Sequence, residues 1–136
     1  MQKKGFRIWA ISLVAVGFGL LTIKEGGAIL FGGEAAQASA GNYVPFVLWF
    51  NFLAGFVYVL AGATLLLAKP RAAPLALFLA VSTILVFLAF AVHIAAGGAF
   101  EARTAGAMSL RSLFWIAVAF VALRAKKAPA VVSNPR

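Results

Sequence analysis

A chain of 136 residues is long enough for one domain, but its make-up excludes an ordinary soluble one. It is 64% hydrophobic and 11% charged, where soluble domains carry about 45–50% and about 25%. Twelve Lys and Arg against three acids leave a formal net charge of +9, which either nucleic-acid binding or membrane topology would explain. There is no cysteine, which removes disulfides, iron–sulfur clusters, thiolate zinc sites and a cysteine nucleophile.

In chain order, four apolar stretches each approach the roughly 20 residues that a membrane helix requires. The first covers 8–32 and is nearly unbroken from Ile8 to Ile23 before Lys24 and Glu25 interrupt it. A small, polar loop follows over Gly33–Asn42. The second stretch, 43–68, contains Asn51 as its only amide. Pro70 and Pro74 frame a tight turn into the third, 72–97. A second loop, Gly98–Gly106, leads to the fourth and shortest stretch, 107–123. The prediction is an all-α integral membrane four-helix bundle over residues 1–124, followed by a basic, disordered tail over 125–136. Ala38-Ser39-Ala40 resembles a signal-cleavage site. It lies so far beyond Lys24 and Glu25 that the segment is expected to be retained.

Charge sets the expected orientation. Lys3, Lys4, Arg7, Lys69, Arg71, Arg124, Lys126, Lys127 and Arg136 fall on one side without an acid. Lys24, Arg103 and Arg111 fall on the other with Glu25, Glu34 and Glu101. Both termini are therefore expected in the cytoplasm, in a multi-pass protein of a bacterial inner membrane. The excess charge is a topology signal, and the expected partners are the lipid bilayer and a protein partner or homo-oligomer, not nucleic acid.

Polar groups inside apolar helices are costly and mark candidate sites. Lys24, Glu25, Asn51, His93 and Arg111 all map to the extracytoplasmic half. Asn51, Gly55, Tyr58 and Gly62 follow one helical stripe, and Ala15 and Gly19 give the first helix a small face, so Asn51 and Tyr58 are expected inside the bundle. Ser82, Ala89, His93 and Ala96 form a comparable stripe, and Arg111 and Trp115 are spaced for a cation–π contact. Glu101 and Arg103 lie in the densest polar segment. Lys24, Glu25, Asn51, Tyr58, His93, Glu101, Arg103 and Arg111 together form the candidate partner or ligand pocket.

Each residue also has a structural reading. Lys24 and Glu25 would be interfacial if the helix ended there. Ile8–Ile23 would span only about 24 Å of a roughly 30 Å core, which favours a continuing helix that buries the pair. His93 is either a histidine bonded to a loop carbonyl or a proton-transfer or ligand-contacting group. Arg111 either snorkels to headgroups or binds an anion. Asn51 is interhelical glue, and Trp9, Tyr43, Trp49 and Trp115 read as interface aromatics.

Catalytic chemistry finds little footing. A Ser-His-Asp triad is excluded because the chain contains no Asp, and a bis-histidine haem because it has one His. A mixed His93–Met108 haem ligation has nothing else in the sequence to recommend it, and His93 with Glu101 and Glu34 offers too few strong ligands for a metal site. No catalytic residue and no metal site is predicted.

Arg7 opens a first helix that runs into Leu20-Leu21-Thr22-Ile23-Lys24-Glu25-Gly26-Gly27. With the four-span length, this pattern resembles the DoxX-like group of small bacterial four-helix membrane proteins. It covers about 25 residues besides the architecture and departs from the usual signature around Lys24-Glu25, so no catalytic residue carries over. The resemblance implies a small subunit or partner of a membrane redox assembly, with a quinone as the only cofactor it suggests. The expected function is a non-enzymatic subunit or accessory protein with an outward-facing polar pocket. A small oligomeric transporter or channel using Lys24, Glu25 and His93 is the alternative.

Overall fold

The computed structural model describes residues 3–127, with side chains for 5–124. These residues form five α-helices and no strand: α1 (Lys3–Phe31), α2 (Glu34–Ala40), α3 (Pro45–Leu66), α4 (Ala72–Ala95) and α5 (Ala102–Lys127). All but α2 are long and apolar enough to cross a membrane. The described stretches of these spans are 22 to 27 residues long, or about 33–40 Å at ~1.5 Å per residue, enough for a roughly 30 Å core.

Three expectations need correction. The loop over 33–42 contains α2, a short Ala-rich helix; Gln37 Nε2 on it donates to Ile29 O of α1 at 3.3 Å. The first helix runs on through Lys24 and Glu25 to Phe31, and both side chains are exposed, so the expected buried pair does not form. The fourth span begins at Ala102, five residues early, because Glu101 O accepts the amides of Thr104 and Ala105 and starts a helical turn there. It also continues to Lys127, through the first three residues of the expected tail; the rest of that tail lies outside the described residues.

The bundle consists of two tight pairs, α1 with α3 and α4 with α5, joined along a thinner α3–α4 seam. The first pair closes on missing side chains. A Cβ placed on Gly19 would lie 2.7 Å from Gly55 O, and one on Gly62 would lie 2.9 Å from Ser12 O. Such approach lets dispersion hold two helices together where lipid removes the hydrophobic drive. On α4 the buried stripe is Ala76, Leu79, Ala80, Thr83 and Phe90. The expected stripe through Ser82 and Ala89 is turned outward, with Ser82 Oγ donating back to Phe78 O at 2.7 Å.

The ends of α3 and α4 share one device. Lys69 N–H reaches Thr64 O and Ala68 N–H reaches Leu65 O; Gly98 N–H reaches His93 O and Gly97 N–H reaches Ile94 O. Both are Schellman closures, which require a left-handed residue. Gly97 supplies it at φ 90°, whereas Ala68 is forced to φ 54°. Ala68→Gly is therefore expected to stabilise by about 0.5–1 kcal/mol, and Gly97→Ala to destabilise by about 1 kcal/mol. Thermal unfolding in mild detergent reads both, and shifts of the same sign would contradict this account.

Candidate functional site

Two polar regions lie at different depths beneath the α2 end of the bundle. The shallower is an open cavity of about 530 Å³. Its walls are apolar residues such as Ile29, Val47 and Leu48, and its polar lining includes Glu25, Tyr43, Asn51, Arg103 and Thr104. Two contacts strap the α2 segment across it to α5. Arg103 Nη2 donates to Ala40 O at 2.9 Å, and Asn42 N–H donates to Glu101 Oε2 at 2.8 Å. Asn51 Oδ1 is buried on the cavity's α3 wall without a hydrogen-bond partner.

The deeper region centres on Arg111. With the fourth span starting at Ala102, Arg111 lies nine residues in, about 13 Å along the axis, rather than one turn from the end as expected. Only 8% of its surface is exposed. Nη1 donates to Thr22 Oγ1 at 3.0 Å and to Tyr58 Oη at 3.2 Å, from α1 and α3. Phe18, Tyr58, Trp115 and Phe114 form a closed circuit of neighbouring rings with centroids 4.8 to 5.4 Å apart. The guanidinium carbon sits 4.9 Å from the Phe18 centroid and 5.9 Å from that of Tyr58. The cation–π partner is therefore not Trp115, because Phe18 and Tyr58 face the guanidinium across the gap between the helix pairs. Trp115 is fully buried, not interfacial. Aromatic faces offset part of the cost of a desolvated cation, by about 2 kcal/mol in a dry site.

The predicted site residues thus separate. Glu25, Asn51 and Arg103 line the cavity. Glu101 holds the strap, and Tyr58 and Arg111 belong to the deeper cluster. Lys24 is exposed and outside the cavity lining. His93 lies at the end of α4, where its Nε2–H donates to Ala99 O at 2.8 Å, closing the loop as a structural histidine would. Phe18, Thr22 and Phe114 were not anticipated. Placing Arg111 at its true depth would have matched it with Thr22, since both lie nine residues from the α2 end of their helices. Among the described residues there is no group of His, Cys, Asp or Glu that could hold a metal ion.

A second cavity, of about 420 Å³, lies at the opposite end between Trp9, Leu65, Leu66, Lys69 and Pro70. Its lining is mostly apolar, and Arg7, Arg71 and Arg124 are exposed at the same end of the bundle.

Comparison with known protein families, with curated proteins and with solved structures finds no match to this chain. The DoxX-like resemblance therefore rests on the first-helix pattern and the four-span plan alone.

Proposed function

We propose that this chain is a multi-pass protein of a bacterial inner membrane with both termini in the cytoplasm. It acts as a small accessory subunit of a membrane complex and receives a partner or small ligand in the α2-end cavity. The orientation follows from the basic residues gathered at the end opposite α2, as the positive-inside rule requires. The observation that carries the binding role is the cavity, in which a few polar groups converge among apolar walls and Asn51 Oδ1 lacks a partner. That is the usual make-up of a ligand site. The first-helix resemblance extends the proposal to a redox assembly and a quinone-like ligand.

Transport by way of Lys24, Glu25 and His93 has less support, because only Glu25 of the three lines the cavity. Native mass spectrometry of the gently solubilised protein tests the binding role. The wild type is expected to retain a small molecule or partner that Ser39→Trp, which puts an indole in place of a small residue of the cavity lining, releases. A bare chain in both cases would overturn the proposal.

A further inference from the structure

The Arg111 guanidinium is only half engaged. Nη1 makes both hydrogen bonds, while Nε is buried without a partner. Among the described residues Nη2 has no hydrogen-bond partner either. Nε–H and Nη2–H form the side of the fork that grips a carboxylate with two parallel bonds. The three acids of the chain are placed elsewhere. Glu101 accepts from Asn42, Glu34 opens α2, and Glu25 is exposed at the cavity. Trp115 Nε1–H is a second buried donor without a partner. The cluster is thus rich in donors and carries a cation that no anion of the described residues neutralises, and burying such a charge is costly.

The cavity lies above this cluster. Asn51 and Tyr58 are seven residues apart on α3, as are Thr104 and Arg111 on α5. Glu25 and Thr22 are three apart on α1. Each lining residue therefore stands over a cluster residue on the same helical face, about 10 Å higher on α3 and α5 and about 5 Å higher on α1. Helical side chains lean toward the helix N-terminus, and the N-terminus of α5 is at the α2 end, so Arg111 leans toward the cavity. Met108, three residues above Arg111 on α5, has no exposed surface and clusters with Val44 and Val47 of the cavity lining. Its unbranched thioether chain is the kind of core group that can move aside.

We infer that Arg111 binds the carboxylate of a lipophilic monoanion whose apolar chain occupies the α2-end cavity. The inference rests on the cavity being a binding site, and names its ligand class. One unpaired guanidinium matches one negative charge, whereas a phosphomonoester would leave a second charge buried. A phosphodiester also presents two free oxygens to a guanidinium, but it carries an ester arm on either side, whereas a carboxylate carries a single chain. The walls of Ile29, Val47 and Leu48 call for a hydrocarbon chain, not a hydrophilic acid.

The test uses the full, delipidated chain in mild detergent and three probes: hexadecanoate, 1-hexadecanol and a lysophosphatidylcholine of equal chain length. Native mass spectrometry is expected to show one hexadecanoate retained per chain, with the alcohol and the lysophospholipid at least tenfold weaker. Arg111→Gln should reduce hexadecanoate retention at least tenfold, and Arg111→Lys, a point charge without a fork, by an intermediate factor. Equal retention of acid and alcohol by the wild type overturns the inference, even if no variant folds. Preferred retention of the lysophospholipid, or undiminished retention of the acid by a folded Arg111→Gln, also overturns it. Ser39→Trp separates the two levels. If the wild type holds acid and alcohol equally and Ser39→Trp blocks both, the cavity stands as a site while the role of Arg111 fails. If neither probe binds even the wild type, both fail.

Discussion

Gly19→Ala should destabilise the protein by about 1–3 kcal/mol and Gly19→Leu by more, while Gly17→Ala, two residues away on the same helix, should cost nothing or stabilise. A Cβ at Gly19 would lie 2.7 Å from Gly55 O, 2.8 Å from Val59 Cγ2 and 2.9 Å from Tyr58 Cβ. The first of these is backbone, so no rotamer change relieves the overlap and α1 must move away from α3. Beside Gly17 there is nothing within 4 Å. The damage at Gly19 should extend beyond local packing. Thr22 is one turn along α1 and Tyr58 is a direct neighbour, so separating the two helices also pulls apart the hydroxyls that hold Arg111. Thermal unfolding in detergent, with the fluorescence of the buried Trp115 as a second readout, should show Gly19→Leu losing both signals together. Equal losses at Gly17 and Gly19 would contradict the close-approach account.

The spans and the close-approach faces of α1 and α3 were legible because both depend on local, repetitive properties. Hydropathy over about 20 residues fixes a span, and Gly55, Gly62, Ala15 and Gly19 declare their faces through helical spacing. The Arg111 cluster was not legible, because its depth depends on where α5 starts. Glu101 to Gly106 contains two charges, so hydropathy discounts those residues, yet the helix needs only the Glu101 carbonyl to begin there. A five-residue error moved Arg111 from mid-depth to the interface and changed its apparent partners. The exposure of Lys24 was obscured in a different way. Spacing puts Lys24 and Glu25 100° apart on a helix but does not say which side meets a neighbour. That depends on α3, which packs against Gly19, Ile23 and Gly26.

A sharper consequence is that the two ends of the Arg111 cluster should respond to mutation with opposite signs. Tyr58→Phe and Thr22→Val each remove one acceptor from a buried guanidinium while leaving the charge in place. Losing a partner of a buried charged group costs about 3 kcal/mol or more. Here the remaining hydroxyl and the Phe18 face soften each single change, to about 1–3 kcal/mol. The double variant should lose more than the sum, because then only aromatic faces remain to Nη1. Arg111→Met should behave otherwise. It removes the cation together with its need for partners and replaces it with an unbranched apolar chain among Phe18, Phe114 and Trp115. Replacing a buried ion by a packed hydrophobic group is often neutral or stabilising, by up to about 4 kcal/mol. Unfolding of the four variants in one detergent decides the matter. An Arg111→Met protein as weak as Tyr58→Phe would make the arginine a structural cross-brace. A protein more stable than wild type would mean that Arg111 is retained at a cost to the fold, which is the pattern expected of a group kept for its ligand.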